Sequence, residues 1–271
     1  MRDARFTYSA NISIMFAEHP LLERPAAAAE AGFTEVELWW PFRQPVAEPS
    51  EVAALVSAIE QAGVVLTGLN FWAGDMIGGE RGVASRPDRA AELRANAAQL
   101  VEIADATGCR LFNLLYGQRD ARWSPATQDA AALDAIRSAA ALVEPLGGTV
   151  LLEPLASGLN GDYPLVDPAQ IRALLQSSLA EIPNVRLLFD VFHIGSNGID
   201  IVSSAAEFAP WIGHVQIADS PGRGEPGSGS LPIEKALDTL VAVGYTGRVA
   251  CEYQPSTPTT AASLGWIRRI G

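Results

Sequence analysis

The chain has 271 residues, 48% of them apolar, and a formal net charge of −12. That length suits one closed α/β barrel of roughly 250 residues, and nothing in the composition reads as disordered. The acidic balance argues against nucleic acid and anionic membrane as partners, and no stretch approaches the roughly 20 apolar residues of a membrane span. With no apolar h-region between Met1 and Ala10, a soluble, cytoplasmic protein is expected, with homo-oligomerisation left open.

In chain order, short apolar runs alternate with longer stretches of helical spacing. Phe6–Ile12 reads as a strand followed by a helix at Leu21–Ala31, and Glu35–Trp40 as a strand followed by Glu51–Ala62. The next pairs are Val64–Phe71 with Arg89–Thr107, Arg110–Tyr116 with Gln128–Leu146, and Thr149–Glu153 with Pro168–Leu179. The last three are Val185–Phe192 with Val202–Phe208, Ile212–Ala218 with Ile233–Val243, and Arg248–Tyr253 with Thr259–Ile270. Gly32, Gly63, Gly108 and Gly244 stand where helices should stop. Eight βα repeats that use the whole chain predict a (β/α)₈ TIM barrel, a single domain over residues 1–271. An open doubly wound sheet would carry a glycine-rich turn after the first strand, and Ser13 to Glu18 contains no glycine. Cys109 and Cys251 lie in or beside strand runs and are expected as buried free thiols.

The longest irregular segments, Trp72–Asp88, Gly117–Ala126, Ala156–Asp167 and Asp219–Leu231, all follow a strand. All should therefore lie at the strand C-terminal face, where barrel active sites sit. Glu153, Asp190, Gln216 and Glu252 end four consecutive strands near that face. Several carboxylates buried together need a cation, and oxygen-only donors suit Mg²⁺ or Mn²⁺ better than Zn²⁺. Glu37, inside the second strand, points into the barrel or to its rim. His214 is read as structural and His19 as an ordinary loop residue. Trp72–Gly82, with Gly74, Gly78, Gly79 and Gly82, is read as a lid.

The segments Phe6-Thr-Tyr-Ser-Ala-Asn11, Ala73-Gly-Asp75, Gly79-Glu80-Arg81-Gly82, Leu152-Glu153-Pro154, Gln216-Ile-Ala-Asp219, Arg223-Gly-Glu225-Pro-Gly-Ser-Gly229 and Cys251-Glu252-Tyr253 resemble hydroxypyruvate isomerases and the closely similar 2-oxo-tetronate isomerases. Both groups are xylose isomerase-like barrels, and the resemblance runs from about Phe6 to Trp266. It implies that Glu153, Asp190, Gln216 and Glu252 bind the metal and that Glu153 and Glu252 form an acid/base pair. It further implies isomerisation of a small hydroxy-keto acid by proton transfer through an enediolate. Arg223 and Arg81 are candidates for binding the substrate carboxylate, since guanidinium binds carboxylate bidentately. His193, Asn70 and Asn113 are candidate substrate contacts.

The chain departs from the family's usual runs at Leu69-Asn70-Phe71-Trp72, at Trp40-Pro41-Phe42-Arg43, and between Leu155 and Pro164. All three departures fall on the substrate side, and Arg43 is a candidate second anion contact. Competing readings are a ketose 3-epimerase on the same scaffold, a non-enzymatic metal-dependent sugar-acid binding protein, and an endonuclease. The last needs a histidine-rich zinc cluster that three histidines cannot supply.

Overall fold

The structure, a computed structural model, describes Met1 and residues 5–270. Eight parallel strands, β1 (Tyr8–Asn11), β2 (Glu35–Leu38), β3 (Val65–Leu69), β4 (Leu111–Asn113), β5 (Thr149–Leu152), β6 (Val185–Asp190), β7 (Ile212–Ile217) and β8 (Val249–Cys251), close a barrel in chain order. The closing pair is β1 with β8, in the register Tyr8↔Val249, Ser9↔Ala250 and Ala10↔Cys251.

Around the barrel run α1 (Arg24–Glu30), α2 (Pro49–Ala62), α3 (Ala90–Thr107), α4 (Pro125–Val143), α5 (Pro168–Gln176), α6 (Val191–Ser196), α7 (Ile201–Phe208), α8 (Ile233–Ala242), α9 (Thr260–Ser263) and α10 (Ile267–Ile270). The main apolar core lies between strands and helices, with Leu100, Ile103, Phe112, Phe189 and Leu237 fully buried in it.

Local chemistry sets the helix ends. α2 and α4 begin at Pro49 and Pro125, earlier than the apolar spacing indicates, because proline in a first turn forfeits an N–H that has no partner there. Ser124 Oγ accepts from the Thr127 N–H at 3.1 Å, and Asp167 Oδ1 accepts from the Ala169 N–H at 2.7 Å to start α5. Gly63 and Gly108 end α2 and α3 with φ of 66° and 77°, the left-handed backbone that costs other residues more.

Two expected elements differ. The run Val185–Phe192 does not stay extended: Asp190 caps a short helix, so Val191 and Phe192 turn away into α6. Its apolar character fits a buried helix turn as well as a strand, so periodicity could not separate the two. The C-terminal stretch is broken into α9, a tight turn at Leu264–Trp266 and α10. Gly265, a poor helix former, lies within that turn. Both cysteines are buried and free, and burial pushes the Cys109 thiol up to about 12.

Strand parity positions the site. Glu37 of β2 accepts a hydrogen bond from Gln216 of β7, and these strands are not neighbours in the sheet, so the contact crosses the barrel interior. Side chains two apart share a face. The inward set near the C-terminal rim is therefore Asn11, Trp39, Asn70, Asn113, Glu153, Asp190, Gln216 and Glu252, drawn from all eight strands or the residues that directly follow them.

Candidate active site

Glu153, Asp190, Gln216 and Glu252 are all buried, at 4%, 1%, 2% and 3% exposure. Each is held by a different device. Asn113 Nδ2 donates to Glu153 Oε2 at 2.7 Å. Asp190 Oδ1 accepts from the Phe192 and His193 N–H groups at 2.7 and 3.3 Å, which fastens one carboxylate oxygen to the start of α6. Its other oxygen, Oδ2, stands 3.7 Å from His193 Nε2 and 3.9 Å from Arg223 Nη2. Glu252 Oε1 accepts from Asn11 Nδ2 at 2.9 Å and from Trp39 Nε1 at 2.5 Å, while its Oε2 pairs with Arg223 Nη2 at 2.6 Å. Gln216 donates through Nε2 to Glu37 Oε2 at 3.0 Å, and its buried Oε1 has no hydrogen-bond partner among the described residues.

His193 is placed by the neighbouring loop. Its Nδ1 accepts from the Ala156 N–H at 2.9 Å, so in the neutral ring the proton sits on Nε2. That nitrogen lies 3.7 Å from Glu153 Oε1. Burial holds the imidazole down at about 4, so it is neutral at physiological pH.

The same burial acts in the opposite direction on the carboxylates. It pushes Glu153 well above the usual carboxylate range, with the charges of Glu252 and Asp190 adding to the effect. Burial raises Glu252 to about 7 against the pull of Arg223, and Asp190 also pushes it up. Three carboxylates and one arginine leave a deficit of positive charge that a divalent cation would remove. The residues fit such an ion. Carboxylate oxygens of Glu153 and Asp190 lie within 4.8 Å of each other, and Gln216 Oε1, without a hydrogen-bond partner among the described residues, adds an oxygen from the strand paired with Asp190.

A cavity of about 840 Å³ opens above this cluster. Glu153, His193, Arg223 and Glu252 reach it, and so do Asn70 and Arg81. Asn113 does not line it. That side chain supports Glu153 from behind. Arg81 is held by the Asn160 side chain at 3.2 Å and by the carbonyls of Met76 and Glu80 at 3.0 and 2.7 Å. Arg43 is exposed and absent from the wall, and its carbonyl accepts from Trp72 Nε1 at 3.3 Å. Arg24, in contrast, lines the cavity and donates to the Ile12 carbonyl at 2.9 Å. Sequence reading passed over Arg24 because it sits inside an expected helix.

Trp39 was missed too, although it stands two residues beyond Glu37 and parity alone turns it inward. With Trp40, Pro41 and Phe192 it forms an apolar wall. The loop Trp72–Gly82 carries Met76 and Ile77 to the cavity mouth, and Ile77 is fully exposed. Asp75 and Glu80 close this loop on itself, through Gly78 N–H to Asp75 Oδ1 at 2.9 Å and Asp75 N–H to Glu80 Oε2 at 2.6 Å.

Arg223 sits at φ 56°, backbone that only a firmly held loop imposes on a non-glycine residue. Asp219 supplies the hold, accepting from the N–H groups of Ser220 (2.8 Å), Gly227 (2.8 Å) and Leu231 (3.0 Å). Asp219→Ala orphans these donors. It should lower stability by about 3 kcal/mol, or roughly 5–10 °C in melting temperature, and cut kcat/KM through a misplaced Arg223. Thermal melts and kinetics check this; an unchanged melting temperature would remove the role.

Residues 25–270 match the family model described as Xylose isomerase-like TIM barrel, the class the closed barrel and its rim of acids define. A Streptomyces coelicolor protein provisionally named hydroxypyruvate isomerase is 46% identical over 98% of this chain and 96% of its own. The Escherichia coli hydroxypyruvate isomerase is 32% identical over 96% of this chain and 97% of its own. The Cupriavidus necator 2-oxo-tetronate isomerase is 31% identical with the same coverage. Among solved structures, a Brucella melitensis protein titled AP endonuclease, family 2, superposes with a TM-score of 0.88 at 31% identity, covering 97% of this chain and 98% of that one. The chain belongs to the hydroxypyruvate isomerase and 2-oxo-tetronate isomerase family of xylose isomerase-like TIM barrels, and is by that membership an isomerase.

Proposed function

We propose that this chain shifts the carbonyl of a small hydroxy-keto acid to the adjacent carbon, converting hydroxypyruvate to tartronate semialdehyde or 2-oxo-tetronate to 3-oxo-tetronate. The observation that carries the reading is the pair Glu153 and Glu252, buried on either side of Asp190 and both opening into one cavity that also holds Arg223. Glu153, Asp190, Gln216 and Glu252 would hold Mg²⁺ or Mn²⁺, since three carboxylates and an amide oxygen are hard donors. When bound, the ion supplies positive charge against the charge that develops on the two substrate oxygens.

The proton moves through the chain's own residues. One glutamate removes it from the hydroxyl-bearing carbon, giving the enediolate; a proton is returned to the neighbouring carbon from the pair, and the hydroxyl proton passes from the first oxygen to the second, which becomes the new hydroxyl. Asn113 fixes Glu153, and Asn11 with Trp39 fixes Glu252, so each acid meets its carbon without reorganising. His193 presents Nε2–H as a neutral donor to a substrate oxygen. Asn70 offers an amide on the same wall, and Trp39, Trp40, Pro41 and Phe192 keep water from the reactive intermediate. Arg223, stacked 5.1 Å from the Phe192 ring, and Arg81 receive the substrate carboxylate.

A panel of hydroxypyruvate, 2-oxo-tetronate and common ketoses, followed by proton NMR with Mg²⁺ or Mn²⁺, tests the reading. Equilibration of a keto acid is expected. Epimerised ketose with both keto acids untouched would overturn it in favour of an epimerase. Arg223→Ala should weaken binding of the keto acid by about 2–3 kcal/mol, roughly 30–150-fold in KM. The inhibition constant of a neutral analogue of the same length should move far less, and equal changes would separate Arg223 from the carboxylate.

A further inference from the structure

Below the cluster, Glu37 is buried at 3% exposure inside the barrel, where the proton transfer makes no use of it. Only one of its oxygens makes a hydrogen bond among the described residues; the other is held in contact with a histidine. Oε2 accepts from Gln216 Nε2 at 3.0 Å, and Oε1 lies against His214 Nε2. The space was cleared for it: Gly68, its register partner on β3, is the position where a Cβ would stand 3.1 Å from Glu37 Oε1.

The two ends of a glutamine amide have nearly the same shape and opposite chemistry, and only the oxygen can serve a cation. Gln216 lies on β7, in register with Asp190 on one side and with Ala250, two residues before Glu252, on the other. Left to itself among carboxylates, the amide would turn its NH₂ end toward them, where it makes charge-assisted hydrogen bonds, and would offer no ligand. A carboxylate oxygen accepts, and Glu37 Oε2 takes the NH₂ end. The oxygen is then turned the other way, in agreement with its lack of any partner among the described residues.

We infer that Glu37, backed by His214, is a positioning residue that fixes the Gln216 amide with its oxygen toward the metal-binding carboxylates. This rests on the proposed cation site. It adds that cation affinity depends on a residue that never touches the ion, and that the dependence exists because the ligand is an amide.

Metal-free protein titrated with Mn²⁺ by calorimetry provides the test. Glu37→Leu should weaken Mn²⁺ binding by about 10–100-fold, the usual effect of removing a group that orients a ligand, while the orphaned Gln216 N–H lowers the metal-free melting temperature by a few degrees. In the Gln216→Glu background the ligand has two oxygens and no wrong end. There Glu37→Leu should cost nothing, or strengthen binding by removing a like charge. A merely structural role predicts the same loss in both backgrounds, and that result would overturn the inference, as would parent-like affinity in Glu37→Leu. Should Glu37→Leu not fold, Glu37→Gln serves the same cycle with a smaller loss, roughly 3–10-fold, because its own amide can still accept. Absence of Mn²⁺ binding to the parent protein would instead sink the cation site itself.

Discussion

Replacing either Glu153 or Glu252 with glutamine is expected to lower turnover by about 10²–10⁴-fold while the barrel stays folded. Glutamine keeps the shape and one oxygen, so the change removes proton transfer before it removes anything else. Folding should survive because neither charge holds the structure together. Glu153 is a buried carboxylate facing two others, and Glu252 has one arginine partner on a loop. Glu153→Gln also keeps an oxygen for Asn113, and Glu252→Gln keeps one for Asn11 and Trp39. Substrate incubated in D₂O separates the roles. The variant lacking the abstracting base should neither turn over nor exchange its carbon-bound hydrogen; the variant lacking the partner should exchange and fail to complete the shift. Metal content measured beside the kinetics guards against a trivial cause. Near-parent turnover by either variant, with metal bound, would dissolve the acid/base pair.

Stripping the divalent ion should have an effect as large, and on two observables together. Activity should fall to background in chelator and return with Mg²⁺ or Mn²⁺. The melting temperature should fall as well, because the ion binds the folded chain alone. At a hundred times its dissociation constant a ligand adds about 2.7 kcal/mol, which for a domain of this size is roughly 5–10 °C. Relief of repulsion among Glu153, Asp190 and Glu252 would be the source of that stabilisation, so Asp190→Asn should shrink the metal-induced shift while raising the metal-free melting temperature. Full activity after exhaustive chelation would defeat the metal assignment, and a loss of activity with no thermal response would place the ion outside this cluster.

The barrel was legible because its signal is local. Each strand is a short apolar run, each helix an amphipathic one, and the four rim residues end their runs at equivalent places. The family resemblance added expected roles, since Glu153, Gln216 and Glu252 lie in the matching segments. What escaped was contact across the barrel. The hydrogen bond from Trp39 to Glu252 spans 213 residues and that from Gln216 to Glu37 spans 179, and no periodicity reports on either. Parity could say that Glu37 faces inward. It could not give the depth, which depends on Gly68 yielding space on the next strand. Asn113 shows the same limit: its strand-end position was plain, yet its partner, Glu153, was visible only in three dimensions.

Asp190 serves two masters, one oxygen bound to backbone amides and the other beside the His193 and Arg223 side chains. Any adjustment of this carboxylate is therefore transmitted to the turn that carries His193, and any shift of that turn drags the carboxylate. Selection acting on this position must satisfy chain geometry and chemistry in a single side chain. Among the rim acids it should be the hardest to replace in a directed-evolution campaign, even where a neighbouring site has been rebuilt to compensate.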